Sequence, residues 1–245
     1  MKTQEKNFDG IKLSGFTAIL IMLALTGTAI YLLSLPQTPS IIAGVICGIC
    51  VVVMLPGFMI IQPNNSRVLT FFGRYAGTVI SNGFYWVNPL FLKSTVTLRI
   101  LNLNIDPIKV NDKVGNPIMI GAVVVWRIKD TYKASFDISG NIREFVQIQS
   151  DAALRQVAGM YAYDTNETID KVTLRSDESG EITQRLEDEL NSRLAIAGIE
   201  IVEARINYLA YASEIASVML RRQQADAIIS ARERIVEGAV SMVHL

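Results

Sequence analysis

The sequence predicts an α+β protein with two transmembrane helices, then a mixed domain, then one long C-terminal helix. Three observations predict it. Residues 16–61 hold two long apolar runs without a single charged side chain. From Gln62 onward, strand-like stretches come first and helix-like stretches after, the order of an α+β domain rather than of alternating βαβ units. From Ser213 the chain carries an uninterrupted helical pattern to about Val240.

The apolar runs are FTAILIMLALTGTAIYLLSL from Phe16 and IIAGVICGICVVVMLPGFMII from Ile41, parted by Pro36-Gln37-Thr38-Pro39-Ser40. At about 20 residues each, and about 1.5 Å per helical residue, each spans about 30 Å, one hydrocarbon core. A buried hairpin of a soluble domain would keep a polar stripe for water, and neither run has one. A signal peptide is excluded by the length of the first run and the immediate second. Pro36 and Pro39 mark the hairpin tip, because proline leaves helices poorly and begins turns well. Pro56-Gly57, late in the second run, either kinks that helix or ends it at the interface, and a re-entrant hairpin bent there is the second reading. Gly44 and Gly48 form a G-x-x-x-G spacing that permits close helix packing.

Lys2, Lys6 and Lys12 precede the first span and Arg67 and Arg74 follow the second, while the tip is uncharged. Positive residues mark the cytoplasmic side, so both ends are expected in the cytoplasm. This gives a multi-pass protein of the inner (plasma) membrane, with residues 1–15 a cytoplasmic segment, 16–61 the hairpin, 62–210 the domain and 211–245 the terminal helix. Cys47 and Cys50 form a C-x-x-C inside the second span, where lipid disfavours a thiolate, so they read as small apolar helix residues.

In the domain, Arg67–Phe72 reads as a strand ended by Gly73, and Asn82-Gly83 as a turn before the strand Phe84–Val87. Apolar alternation slips by one residue at Ile100-Leu101, which predicts a bulge or bend. Pro107–Val110 continues extended, Asn111–Asn116 turns, and Ile118–Ile128 is too apolar for a strand with one wet face and should be central. The Asn111/Asp112/Asn116 cluster lacks the alternating carboxylates of a calcium loop. Asn141 caps a helix through Met160, Asp164-Thr165-x-Glu167 opens a short second one, and Ile182, Leu186, Leu190 and Leu194 define a third that stops at Gly198. Ile199–Tyr208 alternates as a final strand.

Ser213 is expected to cap the last helix, along which Ile215, Val218, Arg222, Ala225, Ile229, Arg232, Val236 and Ala239 recur at three–four spacing. So small and charged a seam suits a helix packed sideways among many copies of itself, and a solvated surface helix is the competing reading.

Nothing in the sequence favours an enzyme. Its one histidine is His244, and it has no G-x-S-x-G, Walker loop or H-E-x-x-H. Clustered metal ligands are missing, so no cofactor or metal is expected. Its 23 basic and 23 acidic side chains are interspersed, so nothing points to electrostatic nucleic-acid binding and no nucleic-acid partner is expected.

From Pro63 to about Val240 the chain resembles the SPFH, or band 7/prohibitin-homology, family of stomatins, prohibitins, flotillins and bacterial relatives. Val68–Arg74, Asn82–Pro89, Val123–Asp130, Ala153–Val157 and Arg221–Arg232 carry the resemblance, in shared order. It implies an SPFH domain held at a membrane and assembled, with the long helix, into large homo-oligomeric rings or cages. These organise lipids and proteins into microdomains and in some members restrain a membrane-bound AAA protease. A low-order adaptor modulating a single transporter or protease is the alternative. Two full spans replace the single span or shallow hairpin of many relatives, which supports a cytoplasmic domain. The sequence runs only a few residues past Gly238-Ala239-Val240, so a cage cap or partner-binding tail there is not carried over.

Overall fold

The computed structural model describes residues 5–164, 172–176 and 180–243. The fold is α+β. In chain order, a short strand β1 (Leu13–Ser14) leads into α1 (Gly15–Ser34) and α2 (Thr38–Met54), followed by a 3₁₀ turn at Leu55–Gly57. Then come β2 (Phe58–Ile61), β3 (Asn65–Phe71), β4 (Arg74–Val79), β5 (Gly83–Trp86), β6 (Phe91–Thr97), β7 (Leu101–Asn111) and β8 (Pro117–Ile128). The remainder is α3 (Thr131–Phe136), α4 (Ile142–Ala158), α5 (Glu181–Leu194), β9 (Ile199–Tyr211) and α6 (Ser213–Val243). These fall into two compact units, one of residues up to Ile100 with Arg127–Ser139 and Ile196–Ile199, the other of the rest.

In the first unit, α1 and α2 are long and apolar enough to cross a membrane. They touch along a narrow line on which Ala18, Ala29 and Gly44 are buried, and most of their other apolar side chains face outward. Thr26, Thr28 and Ser34 donate their hydroxyls to the carbonyls of Met22, Leu25 and Tyr31 at 2.6, 2.9 and 2.7 Å. Few polar groups are thus left to seek water. The second apolar run, expected to be hairpin as far as Ile61, stops being helix at Met54. Pro56 lacks the N–H a helix needs, and Phe58–Ile61 leaves the hairpin to form β2. Pro39 likewise sits inside the first turn of α2, where its missing N–H costs nothing, so the tip proper is Leu35-Pro36-Gln37.

Two small sheets, β1-β5-β2 and β4-β3-β6, enclose Met59, Ile61, Leu69, Val79 and Val87. The strand β4 was not legible in the sequence because its turn, Phe72-Gly73, lacks the usual asparagine. Both residues nevertheless have positive φ, 45° and 81°, as a tight hairpin requires. The slip at Ile100-Leu101 follows a bend at Arg99 and is not a bulge. The chain leaves β6 at Thr97 and begins β7, in a different sheet, at Leu101.

The second unit holds the sheet β7-β8-β9, with β8 central as its composition required. Ile118, Ile120, Ala122, Val124 and Trp126 are buried, and the alternate positions are mostly half-buried. The register of β7 against β8 shifts between Ile105 and Ile108, at Asp106-Pro107, since proline has no N–H for the ladder. Asn141 caps α4 by accepting the Arg143 N–H at 3.0 Å. Ile182, Leu186, Leu190 and Leu194 are all buried along α5, each worth about 1.5–3 kcal/mol of apolar burial. That helix begins at Glu181, and the short helix expected at Asp164-Thr165-x-Glu167 falls on residues 165–171, outside the described residues. Two side chains of α5 reach β9: Asn191 Oδ1 accepts the Ile201 N–H at 3.0 Å and Glu187 Oε1 the Ala204 N–H at 3.1 Å. Backbone donors of a sheet-edge strand are thereby satisfied.

Candidate membrane anchor and assembly helix

The joint between the apolar hairpin and the domain is built by three donors closing on the end of α2. A helix leaves its last carbonyls without partners, a serious cost beside lipid. Here Trp86 Nε1 donates to Met54 O at 2.9 Å, the Val87 N–H donates to Gly57 O at 3.0 Å, and Lys93 Nζ donates to the carbonyls of Pro56 and Phe58. Burial, and then the Arg67 guanidinium, lowers the Lys93 ammonium below its usual range. Gly57 has no room for a side chain: a Cβ there would meet Trp86 Nε1 at 2.3 Å and Val87 O at 2.7 Å.

The segment before α1 is built into this same unit. Phe8 N–H donates to Thr78 O at 3.0 Å, and Thr78 N–H to Lys6 O at 2.8 Å, adding a bridge along β4. Thr131 Oγ1 donates to Glu5 Oε1 at 2.6 Å and lies 2.9 Å from Thr78 Oγ1, which lies 2.7 Å from Tyr75 OH. Strand β1 pairs with β5, Leu13 opposite Trp86. Chain on either side of the hairpin therefore belongs to one folded body.

Of the residues expected to pack the spans, Gly44 sits in the α1–α2 contact, where a Cβ would lie 2.8 Å from Leu33 Cγ and 3.2 Å from Ala29 O. Gly48 does not share that contact. Nothing lies within 4 Å of the Cβ it would carry.

Helix α6 is fastened at its foot to the second unit. The Ala212 carbonyl accepts the Ile215 and Ala216 N–H groups at 3.1 Å, so Ser213 lies in the first turn instead of capping it. Glu214 pairs with Lys109, whose hydrogen bond holds that carboxyl below its usual range. Gln223 Nε2 donates to Asp164 Oδ2 at 3.2 Å, and the Tyr163 and Tyr211 rings lie 4.0 Å apart. Met219 is buried and Ile215 half-buried. Beyond this foot the expected seam is uncovered in the single chain: Val218, Arg222, Ala225, Ile229, Arg232 and Val236 are all exposed. The sequence reading missed a second exposed set, Leu220, Ile228, Ile235 and Met242. Its signal was the seven-residue spacing of Ile228, Ile235 and Met242, one position ahead of Ile229 and Val236 and so about 100° around the helix from them.

Burial comes first, and then nearby Asp164, Tyr163 and Asp112, in pushing the Tyr211 phenol up to about 12. An unfolded tyrosine releases its proton near pH 10. The folded value lies above the unfolded one, so the contribution to stability is intact below about pH 10 and is lost as pH rises through 12. The foot of α6 should loosen only in that window. A phenolate absorbance titration should lose its latest step in Tyr211→Phe, and identical curves would refute the assignment.

The Asp112 carboxylate, the residue nearest to a calcium ligand by sequence, accepts the N–H groups of Val114 (3.0 Å), Asn116 (2.7 Å) and Tyr163 (3.1 Å) and the Asn116 amide (3.1 Å). It organises a turn. Among the described residues no group of three or more metal-ligating side chains occurs.

Residues 59–239, well over half of the chain, match the family model of the SPFH domain / Band 7 family. The chain belongs to that family. Membership, together with the two apolar helices, indicates membrane association and a scaffold role of the stomatin, prohibitin and flotillin class, whose members are generally not enzymes. No curated protein matches the sequence.

Proposed function

We propose that this protein is a non-enzymatic membrane scaffold that self-assembles through α6 and its SPFH domain into a large ring or cage. The assembly organises a patch of the inner membrane and restrains a membrane-bound AAA protease, with the N-terminus and the domain on the cytoplasmic side. The observation that carries the reading is the pair of uncovered apolar stripes on a helix whose foot is tied down. One stripe would be satisfied by a dimer. A second stripe, about 100° around the helix from Ile229 and Val236, offers a surface to a second neighbour, the condition for a head-to-tail ring.

The docked N-terminal segment supports the topology. Residues 5–8 cannot bond to Thr78 unless both ends of the hairpin emerge on one face of the membrane. Gly77 makes that docking possible: its φ is 142°, and a Cβ would stand 2.7 Å from Phe8 Cα. Gly77→Val should release the segment and open residues 5–10 to protease in inverted vesicles, with the spans still inserted. Equal protection of variant and parent would refute the docking.

Electron microscopy of the complex extracted gently with native lipid tests the function. Closed rings of many copies are expected. Small particles with a second protein attached would replace the scaffold by an adaptor of one transporter or protease.

A further inference from the structure

We propose that the Phe72-Gly73 hairpin tip, with Leu90 and Leu92, dips into the lipid monolayer from which α2 emerges, a second membrane contact of the folded domain beside its spans. The inference rests on the membrane anchorage of the preceding reading and is independent of assembly.

Phe72 occupies a turn position with φ 45°, where glycine or asparagine is the usual choice and a bulky side chain is strained. Its ring is also 78% exposed. Within the chain the Phe72 ring packs edge-to-face on Phe71, centroids 4.8 Å apart, which leaves most of it exposed, and positions held against such costs concentrate at sites of function. Two more large apolar side chains, Leu90 and Leu92, are 57% and 69% exposed.

Hydrogen bonds fix the level at which these residues stand. Strand β5 runs toward Trp86, whose indole reaches Met54 O at the end of α2, and β2 starts opposite it, Phe58 against Trp86. That end of the sheet therefore faces the membrane. Val87 bonds to Gly57 O, and the chain passes through Asn88 and Pro89 to Leu90 at the same end, with Phe91 N–H donating to Asn88 O at 3.1 Å. Phe91 is the register partner of Phe71, their rings 5.3 Å apart, and Phe71 is the last residue before the tip. Leu92 lies opposite Thr70, and its neighbour Lys93 bonds to the carbonyls at the span's end. The tip and both leucines thus stand beside the point where the span leaves the domain.

The chemistry fits the interfacial zone rather than the hydrocarbon core. A hairpin tip carries backbone groups that need water or headgroups, so only its side chains can enter the acyl layer. Aromatic rings favour that depth, and Arg74, following the tip, is long enough to keep its charge among phosphates. Trp86 and Tyr85 on β5 and Lys12 before α1 belong to the same belt, with the Lys12 ammonium 4.6 Å from the Tyr85 ring centroid.

The test uses the full chain in liposomes at low protein density, with Cys47 and Cys50 changed to alanine and one new cysteine carrying an environment-sensitive fluorophore. Leu90→Cys and Leu92→Cys avoid the strained turn, and Phe72→Cys reads the tip itself. Ile196→Cys, at a site 72% exposed, is the aqueous control, and Ile46→Cys in α2 reports that the span is inserted. Brominated lipid should quench the labels at 72, 90 and 92 at least twofold more than the label at 196. Quenching at 46 but none beyond the control at 72, 90 and 92 would overturn the inference while leaving the anchor standing. Protection of these labels from aqueous iodide without quenching by lipid would also overturn it, in favour of a covering protein. No quenching at 46 would overturn the anchorage itself and this inference with it. Small particles in the microscope would leave the result unaffected, since single copies suffice.

Discussion

Ile229→Asp is expected to break the assembled particle into single copies or small clusters. Ile229 is 55% exposed in the single chain, so the aspartate harms nothing within the protomer, and the anchor and both folded units should persist. In a packed seam the same carboxylate would be desolvated without a partner, at a cost of several kcal/mol per contact. Because a ring repeats that contact at every copy, even a modest penalty is multiplied. Ala225→Asp should act in the same way. Ser230→Asp, on the polar side of α6, should leave particle mass unchanged. Ile235→Asp then separates two designs: a ring needs the second stripe as well, whereas a dimer through the first seam tolerates the change. Mass measurement of the lipid-extracted complex reads all four, and an unchanged mass for Ile229→Asp removes this seam from the assembly.

Gly198→Val should lower the thermal unfolding midpoint by roughly 6–12 °C, the consequence of losing about 3 kcal/mol in a chain of this size. Gly198 has φ 68°, a conformation that costs an L-residue about 1–2 kcal/mol and a β-branched one more. A Cβ there would lie 2.6 Å from Asp130 O and 3.0 Å from Lys133 Cβ, adding the 1–3 kcal/mol typical of overpacking. The glycine cannot move aside, since its own carbonyl accepts the N–H groups of Lys129 and Asp130 at 2.8 and 3.0 Å. Ile196→Val, two residues away and exposed, is the matched control. Equal midpoints for the two variants would show that the turn relaxes without cost.

The two apolar helices, the central strand β8 and the leucine ladder of α5 were legible in the sequence because each is a one-dimensional pattern with a local cause. A run without charge cannot face water, an unbroken stretch of β-branched residues cannot sit at a wet edge, and a leucine every fourth residue can bury only one side of a helix. The order of strands and helices settled the α+β class for the same reason. What the sequence left open depends on contacts between residues far apart in the chain. Nothing in Phe58–Ile61 distinguishes strand from span until β5 lies beside it, and β4 is defined by pairing with β3 across a turn of unusual composition. Ile100-Leu101 read as a bulge or bend because alternation reports a change of face and not a change of sheet. The docking of Glu5–Phe8 on β4 and the capping of α2 by Trp86 and Lys93 leave no periodic trace at all. Composition and spacing determined which segments are apolar, strand-forming or helical. Only the tertiary structure decided which of those segments meet, because pairing energy belongs to two distant residues together and is written in neither alone.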